Sequence, residues 1–144
     1  MDRIKIQLPV FFHFSTIIPI RITDLNYGGH VGNDVFLSLV HEARQQYLKH
    51  FGYSELNFAG TSLIMADTAI EYKRELIYGN EIKISISSSD FDRVGFDIYY
   101  LMEVRDGDSW LLAGKIKTGM LCFDYSNKKK TAIPAEAIER LSIK

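Results

Sequence analysis

Asp24, Asn26, His30, Asp34 and Glu42 lie close together in the chain, interleaved with Tyr27, Gly28, Gly29, Val31, Gly32 and Asn33. A carboxylate can take a proton from water or attack an electrophile, and an imidazole can polarise a carbonyl, deliver a proton or brace a loop. An amide such as Asn26 can donate a hydrogen bond and hold a water, but it cannot act as a base. The stretch runs from an alternating segment, through a loop rich in glycine, into the only long helical pattern of the chain. A helix N-terminus offers unpaired N–H groups and a partial positive charge, which suit a carbonyl oxygen or an anion. Gly28, Gly29 and Gly32 allow a ligand to approach the backbone closely.

The elements that must position these residues follow from periodicity. Residues 4–8 alternate apolar and polar before Pro9, as in a short strand or an arm at a sheet edge. Residues 10–22 are nearly continuously apolar, interrupted at Pro19, and predict a buried strand entering the loop. Extended backbone through this segment would point Asp24 and Asn26 to one face and so into one pocket. Asn33 or Asp34 is placed to cap a helix running to about His50. Phe36, Leu39, Val40, Ala43 and Tyr47 recur along it at steps of three and four, and Gly52 is its natural stop. Residues 53–60 read as loop. Strands are expected over 62–72, from Ile82 to about Ser87, over 94–104 and over 110–123. Tyr78-Gly79-Asn80 and Asp106-Gly107 mark turns, 87–93 reads as a polar connection, and a short helix is expected over 135–141 after Pro134. Lys128, Lys129 and Lys130 read as a solvated turn, with a ligand-phosphate role as the lesser reading.

One helix with a broad apolar stripe, followed by long antiparallel strands, predicts an α+β fold in which a sheet curls around the helix. The length of 144 residues predicts a single domain over 1–144. A net charge of -1 gives no electrostatic case for nucleic acid. There is no signal-peptide-like N-terminus and no apolar run long enough for a membrane span, and the lone Cys122 suits a reduced compartment, so a cytoplasmic protein is expected. No metal site is expected. His41-Glu42-Ala43-Arg44-Gln45 opens like a zinc-protease helix, but Gln45 stands where a second His must be.

The stretch Arg21-x-x-Asp24-x-Asn26-x-x-Gly29-His30-Val31-x-Asn33, then Phe36-Leu37 and Glu42-Ala43-Arg44, resembles the hotdog-fold acyl-CoA thioesterases of the 4-hydroxybenzoyl-CoA thioesterase type. Glu71-Tyr72-Lys73-Arg74-Glu75, Tyr78-Gly79-Asn80-Glu81 and Ile133-Pro134 extend the likeness over nearly the whole chain. The resemblance implies an antiparallel sheet wrapped around one long central helix. It implies homodimers, often homotetramers, and a site at the dimer interface where the loop and helix N-terminus of one subunit meet the other. It implies hydrolysis of an acyl-CoA or acyl-carrier-protein thioester, with no metal and no cofactor. In that scheme Tyr27, Gly28, Gly29, Val31 and Asn33 hold the substrate, and N–H groups near Gly29, His30 and Val31 receive the carbonyl oxygen.

One departure is consequential. The family's usual catalytic Asp lies four residues before the His, and that position is Asn26. The carboxylate must then come from Asp24, Asp34 or Glu42, each of which also has a plain structural role: a pairing with Arg21, a helix cap, and a pairing with an Arg or with backbone groups. His30 reads equally as catalyst or loop support. Phe96, Ile98, Tyr100 and Trp110 read as core, with the lining of an acyl pocket as the lesser reading. Two rival functions stand beside hydrolysis. Asp24-x-Asn26 with His30 resembles the Asp-x-Asn…His motif of hotdog enoyl-CoA hydratases and dehydratases, one residue too widely spaced and with Tyr27 in place of its Pro. The other rival is a non-catalytic acyl-CoA-binding protein in which activity lapsed with Asn26.

Overall fold

The structure is a computed structural model that describes residues 1–142. Its elements in chain order are β1 (Phe14–Pro19), a 3-10 turn (Ile22–Asp24), α1 (Val35–His50), β2 (Ser62–Tyr72), β3 (Glu81–Ser89), β4 (Gly95–Asp106), β5 (Ser109–Asp124), β6 (Lys129–Lys130) and α2 (Ala135–Leu141). The sheet is antiparallel throughout, with order β1-β3-β4-β5-β2 and the short β6 on β5. As the alternation predicts, one sheet face is apolar: Ile86, Tyr100, Ile116 and Ile70 sit opposite one another across four strands. Against this face lies the α1 stripe, with Phe36, Leu39, Val40, Ala43 and Tyr47 all buried. Gly52 ends the helix at φ +84°, a conformation other residues adopt only with strain.

Of the two forms expected for residues 4–8, a short strand or an arm, the second is found. The arm lies at the sheet edge, where the Ile6 N–H donates to Glu71 Oε2 at 2.6 Å. Several expectations need correction. The strand expected over 10–22 is confined to Phe14–Pro19 and is an edge strand with alternating burial. The serines placed in a polar connection belong to β3, and Ser87 and Ser88 are buried. They are tolerated there because a partner exists: Ser88 Oγ lies 2.7 Å from the buried Tyr47 hydroxyl. Lys129 and Lys130 form β6, although both are exposed. Trp110 is no core residue. It is half-buried, with the Lys83 and Arg105 cations over its ring at 4.8 and 4.6 Å.

A buried charge anchors the helix to the sheet. Arg44, 4% exposed, donates from Nε to Glu55 Oε1 at 3.0 Å and from Nη1 to the Tyr100 hydroxyl at 3.2 Å. Tyr100 in turn lies 2.8 Å from Thr118 Oγ1 on β5. Burial works against the guanidinium charge, yet the Tyr100 and Glu55 contacts outweigh it and raise the Arg44 pKa. Among the described residues no buried side-chain polar atom lacks a partner. Removing one member of such a pair leaves an uncompensated buried charge. Glu55→Ala is therefore expected to cost about 3 kcal/mol in urea-induced unfolding.

Candidate functional site

The loop before α1 is shaped by its own polar groups. Pro19 closes β1, and Ile20 N–H still pairs with Asn80 O at 2.8 Å. Asp24 then competes with the sheet for backbone donors, because its Oδ2 accepts the Arg21 N–H at 2.8 Å. The result is the 3-10 turn, so the strand alternation stops and the shared face expected for Asp24 and Asn26 does not form. Asp24 is buried, with Oδ1 3.2 Å from Arg21 Nη2. Burial alone would push the Asp24 carboxyl up, but the Arg21 N–H, the guanidinium hydrogen bond and its charge together hold it below the usual range.

Asn26 folds back on the loop. Its Oδ1 accepts the N–H of Gly28 at 2.9 Å and, more loosely, that of His30 at 3.4 Å. Its own N–H donates to His30 O at 2.8 Å, and Gly29 N–H donates to Asn26 O at 3.1 Å. Gly29 sits at φ +80°, which accounts for glycine there. Because the amide oxygen is taken by N–H donors, its NH2 group is the free end, without a partner among the described residues. Tyr27, at the loop tip, is fully exposed. The loop is clamped to the end of β2 and the segment after it. Val31 N–H donates to Leu76 O at 2.9 Å, His30 Nε2 lies 3.2 Å from Glu75 Oε2, and the Tyr72 hydroxyl donates to Asn33 O at 3.0 Å.

This changes which N–H groups can receive a ligand. Those of Gly29 and Val31 are already donated and that of Gly32 faces Asp24 across the Leu25–Val31 bridge, whereas those of Asn33 and Asp34 have no partner among the described residues. Asp34 holds the N-cap position of α1, but its carboxylate makes no capping hydrogen bond. Two clefts flank this helix start. One, of about 500 Å³, lies between β1 and α1 and is lined by Arg21, Asp24, Ser38, His41, Glu42 and Gln46 among others. The second, of about 290 Å³, is lined by Val31, Asn33, Phe36 and the residues from Tyr72 to Glu75. The sequence-derived candidates are thus divided: Asp24 and Glu42 share the larger cleft, and Val31 and Asn33 share the smaller.

Glu42 is exposed, with Oε2 accepting from Gln46 Nε2 at 2.8 Å and Oε1 without a partner among the described residues. Sequence reasoning missed three residues that support this region. Arg44 sits beside the apolar stripe, between Val40 and Tyr47, so its position on that face is a readable signal of burial. Gln46 lies one helical turn from Glu42, a spacing that predicts contact. Glu55, which also lies 3.2 Å from His41 Nε2, carried no local signal. Among the described residues no three His, Cys, Asp or Glu side chains are grouped to hold a metal ion.

Comparison with protein families places residues 20–141 in one match, described as the Thioesterase-like superfamily. The chain belongs to this superfamily. Its fold is the hotdog fold that superfamily architecture requires, and solved structures agree. A 1,4-dihydroxy-2-naphthoyl-CoA thioesterase from Synechocystis is similar at 19% identity and TM-score 0.78, over 89% of this chain and 94% of that one. A thioesterase from Thermus thermophilus, solved with coenzyme A and zinc, is similar at 20% identity and TM-score 0.79, over 92% and 100%. A Staphylococcus aureus protein solved in complex with CoA is similar at 13% identity and TM-score 0.79, over 94% and 86%. No curated protein matches. No helix among the described residues is long and apolar enough to cross a membrane.

The depressed Asp24 carboxyl makes loop stability depend on pH in a defined direction. A carboxylate with a lowered folded-state pKa contributes stability that is present above its unfolded value, about 3.9, and lost as pH falls through the folded value. Asp24→Asn is expected to lower the urea midpoint at pH 7, and the difference from wild type is expected to shrink as pH falls below about 3.9.

Proposed function

We propose that the protein hydrolyses an acyl-CoA or acyl-carrier-protein thioester, with Glu42 as general base and the α1 N-terminus as the carbonyl-oxygen site. Of the three candidate carboxylates, Asp24 is buried and spent on Arg21, and Asp34 lies at the helix cap. Glu42 alone combines a place in the larger cleft with an oxygen free to take a proton. In the reaction Glu42 removes a proton from water as the water oxygen bonds to the thioester carbon. The carbonyl oxygen, gaining charge, accepts from the N–H groups of Asn33 and Asp34. The tetrahedral centre then collapses, the C–S bond breaks, and the leaving thiolate takes the proton held by Glu42, which restores the base. Asn26 shapes the loop and offers its NH2 group to substrate or water, and His30 braces the loop through Glu75. Tyr27, Gly28, Gly29, Val31 and Asn33 form the substrate's surroundings.

The observation that carries this reading is a separation. Glu42 lies eight residues along α1 from Asp34, which at 1.5 Å rise per residue is about 12 Å. Within one chain these groups are too far apart to act on one carbonyl, so the site takes the helix start from one copy and Glu42 from another. The cleft that holds Glu42 opens along β1, an edge strand with Ile17 exposed, and a second copy can approach it there. The homodimer, or a homotetramer built from it, is part of this proposal.

Free-thiol release from short, long and aromatic acyl-CoAs tests the activity. Turnover is expected on at least one of them, with loss of about 100-fold or more in kcat for Glu42→Gln. Mixing Glu42→Gln with Asn26→Ala, each impaired alone, is expected to restore activity through mixed dimers that keep one intact site. Folded protein without turnover on any acyl-CoA would refute the hydrolase and leave a binding protein, and failure of mixing would refute the shared site.

A further inference from the structure

A hydrogen-bonded chain that the reaction as described does not use runs from β1 to the larger cleft. Thr16, on edge strand β1, donates its hydroxyl to Gln46 Oε1, and Gln46 Nε2 donates to Glu42 Oε2 at 2.8 Å. The direction of the chain is dictated chemically. An ionised carboxylate can only accept, so Gln46 must turn its N–H toward Glu42. That places its carbonyl oxygen toward Thr16, whose hydroxyl is the only one of the three groups able to reverse, and which must therefore donate. Thr16 itself is held in register by pairing with Ile84 on β3.

We infer that Gln46 is a positioning residue for the reaction, holding one oxygen of Glu42 so that the other faces the cleft, with Thr16 fixing the Gln46 amide. The inference rests on the reading of Glu42 as the base. An exposed glutamate on a helix samples several rotamers, and most of them point the carboxylate into solvent. A tether on Oε2 selects the rotamer that keeps Oε1 in the cleft. The same link joins the fourth turn of α1 to β1 and so sets the position of Glu42 against both cleft walls, where Arg21 and Asp24 also lie. A lysine or arginine in place of Gln46 would neutralise the base. A neutral donor orients it and leaves its charge intact.

Steady-state thiol release on the best acyl-CoA substrate tests this. Gln46→Leu is expected to lower kcat about tenfold and leave KM within about twofold. Thr16→Val is expected to act in the same direction with a smaller loss, and Thr16→Ser, which keeps the hydroxyl, to hold the wild-type rate. The deciding measurement is a double-mutant cycle: in the Glu42→Gln background, Gln46→Leu is expected to change kcat no further. An unchanged kcat for Gln46→Leu would overturn the inference, as would an equal loss in both backgrounds, which marks a purely structural link. A Glu42→Gln enzyme at full rate would overturn the base assignment and the inference while hydrolysis stands. A folded wild type that releases no thiol would overturn all three. Circular dichroism on each variant separates lost orientation from lost fold.

Discussion

Everything in this molecule depends on how α1 is buried. Phe36, Leu39, Val40, Ala43 and Tyr47 all face the sheet, and Arg44 is locked between Glu55 and Tyr100. A close-packed helix cannot rotate without breaking that apolar contact and exposing a buried cation. Its other side is thereby fixed toward the cleft along β1. Ser38, Glu42 and Gln46, four residues apart in succession, form a polar row there. The chemistry of the site is thus the back of a packing solution.

The loop ahead of the helix shows how polar residues divide between shaping and reacting. Asp24 and Asn26 stand where a catalytic carboxylate would be sought. Both place oxygens on backbone N–H groups of their own neighbourhood. Such local bonds replace the ladder partners a loop lacks and give it one conformation at little cost in chain entropy. A carboxylate committed in this way, buried and paired with Arg21, is poorly placed to move a proton. Glu42, exposed and half-engaged, is better placed. The clamp to Leu76, Glu75 and Tyr72 then carries the loop's shape into the sheet.

Much of this was legible in the sequence, and the failures have identifiable causes. The α1 stripe, the four long strands and the turns at Gly52, Gly79 and Gly107 follow from period and from glycine at positive φ. Ser87 and Ser88 read as a connection because hydroxyls look like loop residues until a buried partner such as Tyr47 is known. The shared pocket of Asp24 and Asn26 failed because a side chain three residues away captured a backbone donor, ending the alternation. Trp110 reads as core and lies under two surface cations instead, because an aromatic ring packs as readily in either setting.

By itself, the sequence determined what depends on near neighbours: the periods that make helix and strands, the glycines that permit turns, and the motif that marks the superfamily. Only the tertiary structure decided which carboxylate is spent and which is free, which N–H groups at the helix start lack partners, and that Gln46 and Thr16 stand beside Glu42. Those facts rest on contacts between residues distant in the chain, Thr16 with Gln46 and Arg44 with Tyr100 among them. Local periodicity carries no record of such contacts; they exist only once the sheet and helix have closed on each other.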